Sequence, residues 1–221
     1  MAAADLTHID TWLFDLDNTL YPAGCQLFAL VETRMTDFVA REAKLPREAA
    51  FELQHRYFRE HGTTLAGLMA NHGVDPVAFI AEVEDVGMDC LTPDPVLRAA
   101  IGRLPGRRLV FTNAGGRYAG EALERLELAD LFEDVFHCEL ADYTPKPRME
   151  TFERLIARHD LTPVSTCFFE DVERNLAPGA ELGMTTVLVG AHAAASTAAF
   201  VHHRTLALAP FLASAKLKET P

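Results

Sequence analysis

The chain reads as α/β, a doubly wound parallel sheet with an all-helical cap subdomain inserted after its first strand. Three observations predict this. Short runs rich in β-branched and aromatic residues alternate with helical patterns in the second half, which argues for a parallel sheet with both faces covered. Residues 22–92 show helical periodicity and no strand signal. Four of the runs end in, or are followed by, polar, charged or glycine-bounded segments, which suits a rim where ligands bind.

The predicted strands are Thr11–Phe14, Leu109–Thr112, Val135–Cys138, Thr166–Phe169 and Thr186–Val189. Between the later ones, helices are expected over Tyr118–Leu128, Met149–His159 and Leu176–Leu182, the last closed by Gly183. In the insert, Gln26–Lys44 places Leu27, Leu30, Val31, Met35, Phe38 and Val39 on one helical face. Pro46–Glu60, Thr64–Asn71 and Pro76–Val86 follow, each ending near a glycine (Gly62, Gly73, Gly87). Pro22-Ala-Gly24 and Thr92-Pro-Asp-Pro95 read as the two crossings between cap and sheet. The core is thus expected over residues 1–21 and 93–221, Rossmann-like, and the cap over 22–92. An edge strand near Phe200–His202 and a short helix at Leu208–Leu212 complete the tail.

With 221 residues the chain is long enough for one sizeable domain plus a small insert. A formal charge of −12 argues against a nucleic-acid polymer as partner, because neutralising phosphates needs basic surface. A small phosphate ester needs only one positive pocket. No run approaches the ~18 apolar residues of a membrane span, and the first residues lack a signal-peptide pattern. Cys25, Cys90, Cys138 and Cys167 are scattered, as expected of reduced thiols in a cytoplasmic protein.

Chemistry concentrates in four segments. Asp15-Leu-Asp17-Asn-Thr19 ends the first run. Two like charges about 4 Å apart repel by ~4 kcal/mol at an effective dielectric near 20, so such a pair commonly splits its roles, one ionised and one holding a proton. Thr112-Asn113-Ala-Gly-Gly116 is a strand end opening into a helix, a setting that binds anions or is simply capped. Lys146 sits between Pro145 and Pro147, on stiff backbone. Glu170-Asp171 follows the fourth strand, with Asn175 a turn later. If the first and fourth strands are neighbours, Asp15, Asp17 and Asp171 converge. Asp15 and Asp171, joined by Glu170, then make an oxygen-rich cluster of the type that holds Mg²⁺. Three acids carry −3, and Mg²⁺ with Lys146 carries +3. Whether Glu170 or Asp171 ligates directly stays open at this level.

This set resembles the phosphatases of the haloacid dehalogenase-like superfamily. Asp15-Leu-Asp-Asn-Thr-Leu-Tyr-Pro22, Gly62-Thr-Thr-Leu-Ala-Gly-Leu68, Thr92-Pro-Asp-Pro-Val-Leu97, Val110-Phe-Thr-Asn113 and Pro145-Lys-Pro147 look like the pyrimidine 5′-nucleotidase group within it. The chain departs from that group at Ala114, where a glycine often follows the Asn, and at Glu84, where a histidine often precedes the acid. The resemblance implies Mg²⁺-dependent phosphomonoester hydrolysis through an aspartyl-phosphate, with UMP or CMP as substrate. It makes Asp15 the nucleophile and Asp17 the acid–base group, with the Asp17 backbone carbonyl also on the metal. Thr112 and the Asn113 amide would hold phosphoryl oxygens, Lys146 would neutralise charge, Asp171 would ligate the metal with Glu170 close by, and Asn175 would stand behind them.

In the cap, Arg56, Tyr57, Arg59, His61 and Thr63 could bring an aromatic and donors to a base or sugar. The alternative is that Tyr57 packs the bundle while the arginines are solvated; His55 and His72 suit the helix surface or cap packing. Among competing functions, a sugar-phosphate phosphatase or phosphomutase shares all four segments and differs in the cap. A 2-haloacid dehalogenase shares the scaffold but has no use for Asp17 or a metal, and a non-catalytic binding module should have lost one of the core residues.

Overall fold

Thr11-Trp-Leu-Phe14 forms the central strand of the main sheet because all four of its residues are buried, as a strand covered on both faces requires. In the computed structural model, which describes residues 3–218, this is the second strand of the chain. The elements run β1 (Asp5–Leu6), β2 (Thr11–Phe14), α1 (Leu27–Ala43), α2 (Arg47–His61), α3 (Thr64–His72), α4 (Pro76–Val83) and α5 (Pro95–Gly102). They continue with β3 (Arg107–Phe111), α6 (Gly116–Arg125), β4 (Asp134–Phe136), α7 (Met149–His159), β5 (Thr166–Glu170) and α8 (Glu173–Glu181). The last are β6 (Thr185–Val189), β7 (His203–Thr205), α9 (Leu208–Ser214) and β8 (Lys216–Leu217).

Six strands form a parallel sheet in the order β4-β3-β2-β5-β6-β7. Alternate strand residues go to opposite faces. Trp12, Phe14, Val110 and Phe169 join a core with Tyr118 and Ala122 of α6 and Leu212 of α9, whereas Leu13, Phe111 and Phe168 join one with Phe152 of α7 and Leu176 of α8. Helices therefore cover both faces, as the doubly wound reading requires. The chain goes from β2 to β3 on one side and later to β5 on the other. The C-terminal end of β2 is consequently the switch point at which ligands bind in such sheets.

Three details differ from the sequence expectation. Residues Pro95–Gly102, for which the sequence offers no element beyond the Thr92–Pro95 crossing, form α5; Asp94 caps it by accepting from the Val96 and Leu97 amides at 2.8 and 3.1 Å, and Pro95 starts it. The last cap helix stops at Val83 rather than Val86, and the turn that ends it aims Glu84 at the sheet. The edge strand lies at His203–Thr205, because Phe200 and Val201 are spent on the second core and β6 registers Val187 with His203. The β1–β8 pairing of Asp5 with Lys216 and Leu6 with Leu217 is too short for a periodicity signal.

Helices α1–α4, the segment expected as the cap, lie between β2 and β3 and pack on one another. Phe38 and Phe79 meet edge to face at 4.9 Å, and the buried Thr36 hydroxyl donates to Gln54 Oε1 at 2.6 Å. Gly67 of α3 lies under the Tyr57 ring, where an added Cβ would be 2.3 Å from its Cγ. On the core side, Arg174 of α8 donates to the carbonyls of Phe58 and Gly62 at 2.6 and 3.0 Å and stacks on the Phe58 ring at 4.0 Å. The end of α2 is thereby fastened over the sheet's C-terminal rim.

Candidate active site

The site is assembled from the turns that leave three adjacent parallel strands, β3, β2 and β5, and from the loop before α7. Asp15 follows the last residue of β2, and its amide still donates to the Phe169 carbonyl at 2.9 Å, so its side chain is fixed by the sheet. The chain then closes a tight turn in which Asn18 takes a left-handed φ of 62° and the Leu16 carbonyl accepts from the Leu20 amide at 3.0 Å. That turn carries Asp17 back toward Asp15.

Lys146 is 1% exposed and lies at the centre. Its ammonium donates to Asp15 Oδ1 at 2.7 Å, Glu170 Oε2 at 2.7 Å and the Phe111 carbonyl at 2.8 Å, so its three protons are all placed. Burial opposes its charge, but the two carboxylates outweigh that and raise its pKa above the ordinary lysine value. The Asn113 side chain fixes the lysine backbone, its Oδ1 accepting from the Lys146 amide at 2.9 Å. Thr112 is buried, and its hydroxyl accepts from the Ala114 amide at 3.0 Å.

Asp15, Glu170 and Asp171 each offer an oxygen within 4.8 Å of the others. Burial first, and then the neighbouring Glu170 charge, push the pKa of Asp15 and Asp171 upward. Lys146 alone does not balance three acids. Nearby, the buried Asn175 Oδ1 has no hydrogen-bond partner. An all-oxygen donor set short of positive charge fits a hard divalent cation such as Mg²⁺. Glu170 is the least available of the three, since Oε2 accepts from Lys146 and Oε1 from the Val172 amide at 3.0 Å. Among the described residues the Asp171 carboxylate accepts one long hydrogen bond, 3.4 Å, from the Asn18 amide group.

Above the acids lies a cavity of about 300 Å³ between sheet and cap. Asp15, Asp17, Thr112, Asn113, Lys146, Glu170, Asp171 and Asn175 all line it. The cap contributes Phe28, Val31, Met35, Phe79 and Ile80, together with Gln54, Thr63 and Glu84. Of the cap residues singled out from the sequence, Arg56, Tyr57, Arg59 and His61 are not among those lining it. Arg56 and Arg59 border a separate surface cleft. Tyr57 is buried against Gly67, its hydroxyl 2.9 Å from His72 Nε2, so it packs the bundle; its neighbours Gln54, His55, Phe58, Thr63 and Thr64 reach the cavity.

The amides at the start of α6 are already occupied. Glu84 accepts from the Gly115 amide at 2.9 and 3.2 Å through its two oxygens, and Glu139 accepts from the Gly116 amide at 3.1 Å. The glycine-bounded helix start therefore holds the protein's own carboxylates. Burial, followed by the charges of Asp17 and Glu139, lifts Glu84 to a pKa of about 8 against the opposing hydrogen bond from Gly115. Glu84, Tyr21 and Tyr118 went unassigned in the sequence reading. Tyr21 and Tyr118 both meet Asp17, and only the DLDNTLY run offered a hint of the first.

The family model for haloacid dehalogenase-like hydrolases matches residues 9–183. The chain belongs to this family. Among relatives, it is 26% identical over 193 residues to Phosphate metabolism protein 8 of Saccharomyces cerevisiae, covering 80% of this chain and 60% of that protein. Its fold is similar to that of a HAD phosphatase from Thermococcus onnurineus, with a TM-score of 0.59, 15% identity, and 90% and 94% of the two chains covered. It is also similar to a 2-haloacid dehalogenase from Pseudomonas syringae pv. Tomato, with a TM-score of 0.56, 19% identity, and 93% and 98% covered. At these identities the two structures show the shared fold alone. The chain is thus a member of the haloacid dehalogenase-like hydrolases, and no helix among its described residues is long and apolar enough to cross a membrane.

Proposed function

We propose that the chain is a Mg²⁺-dependent phosphomonoesterase that works through an aspartyl-phosphate on Asp15, with the pyrimidine nucleotides UMP and CMP as substrates. The observation that carries the reading is Asp17, a second carboxylate lining the same cavity as Asp15. An alkoxide leaving group needs a proton, whereas a halide leaves without one, so this residue favours ester hydrolysis over dehalogenation.

Asp15 attacks phosphorus while Asp17 protonates the departing oxygen; Asp17 then takes a proton from water as that water releases phosphate from Asp15. Lys146 and the Thr112 hydroxyl neutralise and orient the phosphoryl oxygens. Asp15, Asp171 and the Asp17 carbonyl would hold Mg²⁺, whose bound charge would let a dianion approach the acids. Phe28, Phe79 and Gln54, all lining the cavity, offer apolar rings and a polar group of the kind that suits a flat base with polar edges. The nucleotide preference itself rests on the resemblance in the sequence motifs. The scattered free thiols fit a reducing, cytoplasmic setting.

The test is release of phosphate from UMP, CMP, a hexose 6-phosphate and p-nitrophenyl phosphate, each with Mg²⁺ and with EDTA, beside chloride release from 2-chloropropionate. Metal-dependent hydrolysis led by UMP and CMP is expected. Chloride release without metal would overturn the proposal, and preference for the sugar phosphate would reassign the substrate.

A further inference from the structure

Asp17 is held by two tyrosines. The Tyr118 hydroxyl donates to Asp17 Oδ1 at 2.9 Å, and the Tyr21 hydroxyl donates to the same oxygen. The two hydroxyl oxygens lie 3.2 Å apart. Tyr21 comes from the loop after β2 and Tyr118 from the first turn of α6, and both are almost completely buried, at 3% and 2% exposed. A phenol has a single proton to give. With both protons committed to Oδ1, the approach of the two hydroxyls is set by their common target. Among the described residues the two hydroxyls have no partner besides Asp17 and each other, so Asp17 is the one acceptor that can take both protons.

We infer that Tyr21 and Tyr118 are positioning residues that select which oxygen of Asp17 carries the catalytic proton. This rests on the acid–base role of Asp17 proposed above. Two donors on Oδ1 leave Oδ2, which has no side-chain partner among the described residues, as the oxygen that is protonated. In the first half-reaction the Asp15–phosphorus bond forms and the bond from phosphorus to the ester oxygen breaks. The Oδ2 proton passes to that oxygen and the alcohol leaves. In the second, water adds to phosphorus, one of its protons returns to Oδ2, and the bond to Asp15 breaks to release phosphate. Two buried rings from separate elements also restrict the side chain far more than a solvent-exposed carboxylate would be restricted.

The test compares kcat/KM of Tyr118→Phe and Tyr21→Phe on two esters in the presence of Mg²⁺. This ratio covers only the steps through departure of the alcohol. Glycerol 2-phosphate needs its leaving oxygen protonated; p-nitrophenyl phosphate does not. Loss of positioned acid catalysis should lower kcat/KM by ~10²-fold on glycerol 2-phosphate and far less, about 3-fold, on p-nitrophenyl phosphate. In an Asp17→Asn background, Tyr118→Phe should have no further effect on glycerol 2-phosphate, because its contribution runs through Asp17. Equal losses on both esters, no loss on either, or full additivity with Asp17→Asn would overturn the assignment. If one variant fails to fold, as shown by thermal denaturation, the other carries the comparison. A wild-type chain that hydrolysed neither ester would instead overturn the phosphatase reading, and the tyrosine assignment with it.

Discussion

Glu170 Oε2 accepts a hydrogen bond from Lys146 Nζ at 2.7 Å, and both side chains are 1% exposed. The two acids of the Glu170-Asp171 pair are thereby given different work. Glu170 holds the lysine and the turn that follows β5, and Asp171 is left facing the cavity beside Asp15.

Substitutions in the pair should separate accordingly. Asp171→Asn is expected to raise the Mg²⁺ concentration for half-maximal activity by at least ~10-fold, with little change in Tm. Glu170→Gln weakens a charge-assisted bond to a buried ammonium and should cost about 1–3 kcal/mol of stability. A magnesium titration of activity beside a denaturation curve checks both. The reverse pattern would make Glu170 the metal ligand.

Glu84 predicts a dependence of stability on pH. Its folded pKa, about 8, lies above the unfolded value near 4.5. The group's contribution is therefore fully present below pH 4.5 and lost as pH rises toward 8. Glu84→Gln keeps an oxygen for the Gly115 amide but cannot ionise. The Tm of the variant should match that of wild type near pH 4.5 and exceed it by roughly 3 °C or more at pH 8. A difference that does not grow with pH would contradict this.

Tyr57 is expected to behave as a packing residue. Tyr57→Ala should cost ~3 kcal/mol by leaving a cavity beneath α3, and should affect UMP and p-nitrophenyl phosphate hydrolysis alike. Gly67→Ala should destabilise the cap by about 1–3 kcal/mol, since its Cβ would meet the Tyr57 ring. A selective loss on UMP would place Tyr57 at the base instead.

Much of this was legible in the sequence. Apolar strand runs mark the parallel sheet, and the polar residues after them fall on one rim because the C-terminal ends of parallel strands share it. Asp15, Thr112 and Asp171 stand at such strand ends, and Lys146, between two prolines, lines the same cavity. For Tyr57 the sequence leaves both readings open, because a buried aromatic and a base-stacking one look the same in a helical pattern until Gly67 is seen beneath the ring. Glu84 could not be placed because its role depends on where α4 stops, and helix ends are read from sequence to within a turn at best. Tyr118 faces inward on α6 among core residues, so nothing local separates it from a packing tyrosine. Its partner Asp17 is 101 residues away in the chain.

The central claim is that Asp15 becomes phosphorylated during turnover. It is tested most directly by mixing the chain with Mg²⁺ and phosphorus-labelled UMP, quenching in acid and reducing with borohydride, which converts an aspartyl-phosphate to homoserine. Homoserine at position 15, with neither label nor turnover in Asp15→Asn, is the predicted result. Unmodified Asp15 during active turnover, or an Asp15→Asn chain that still releases phosphate, would contradict it.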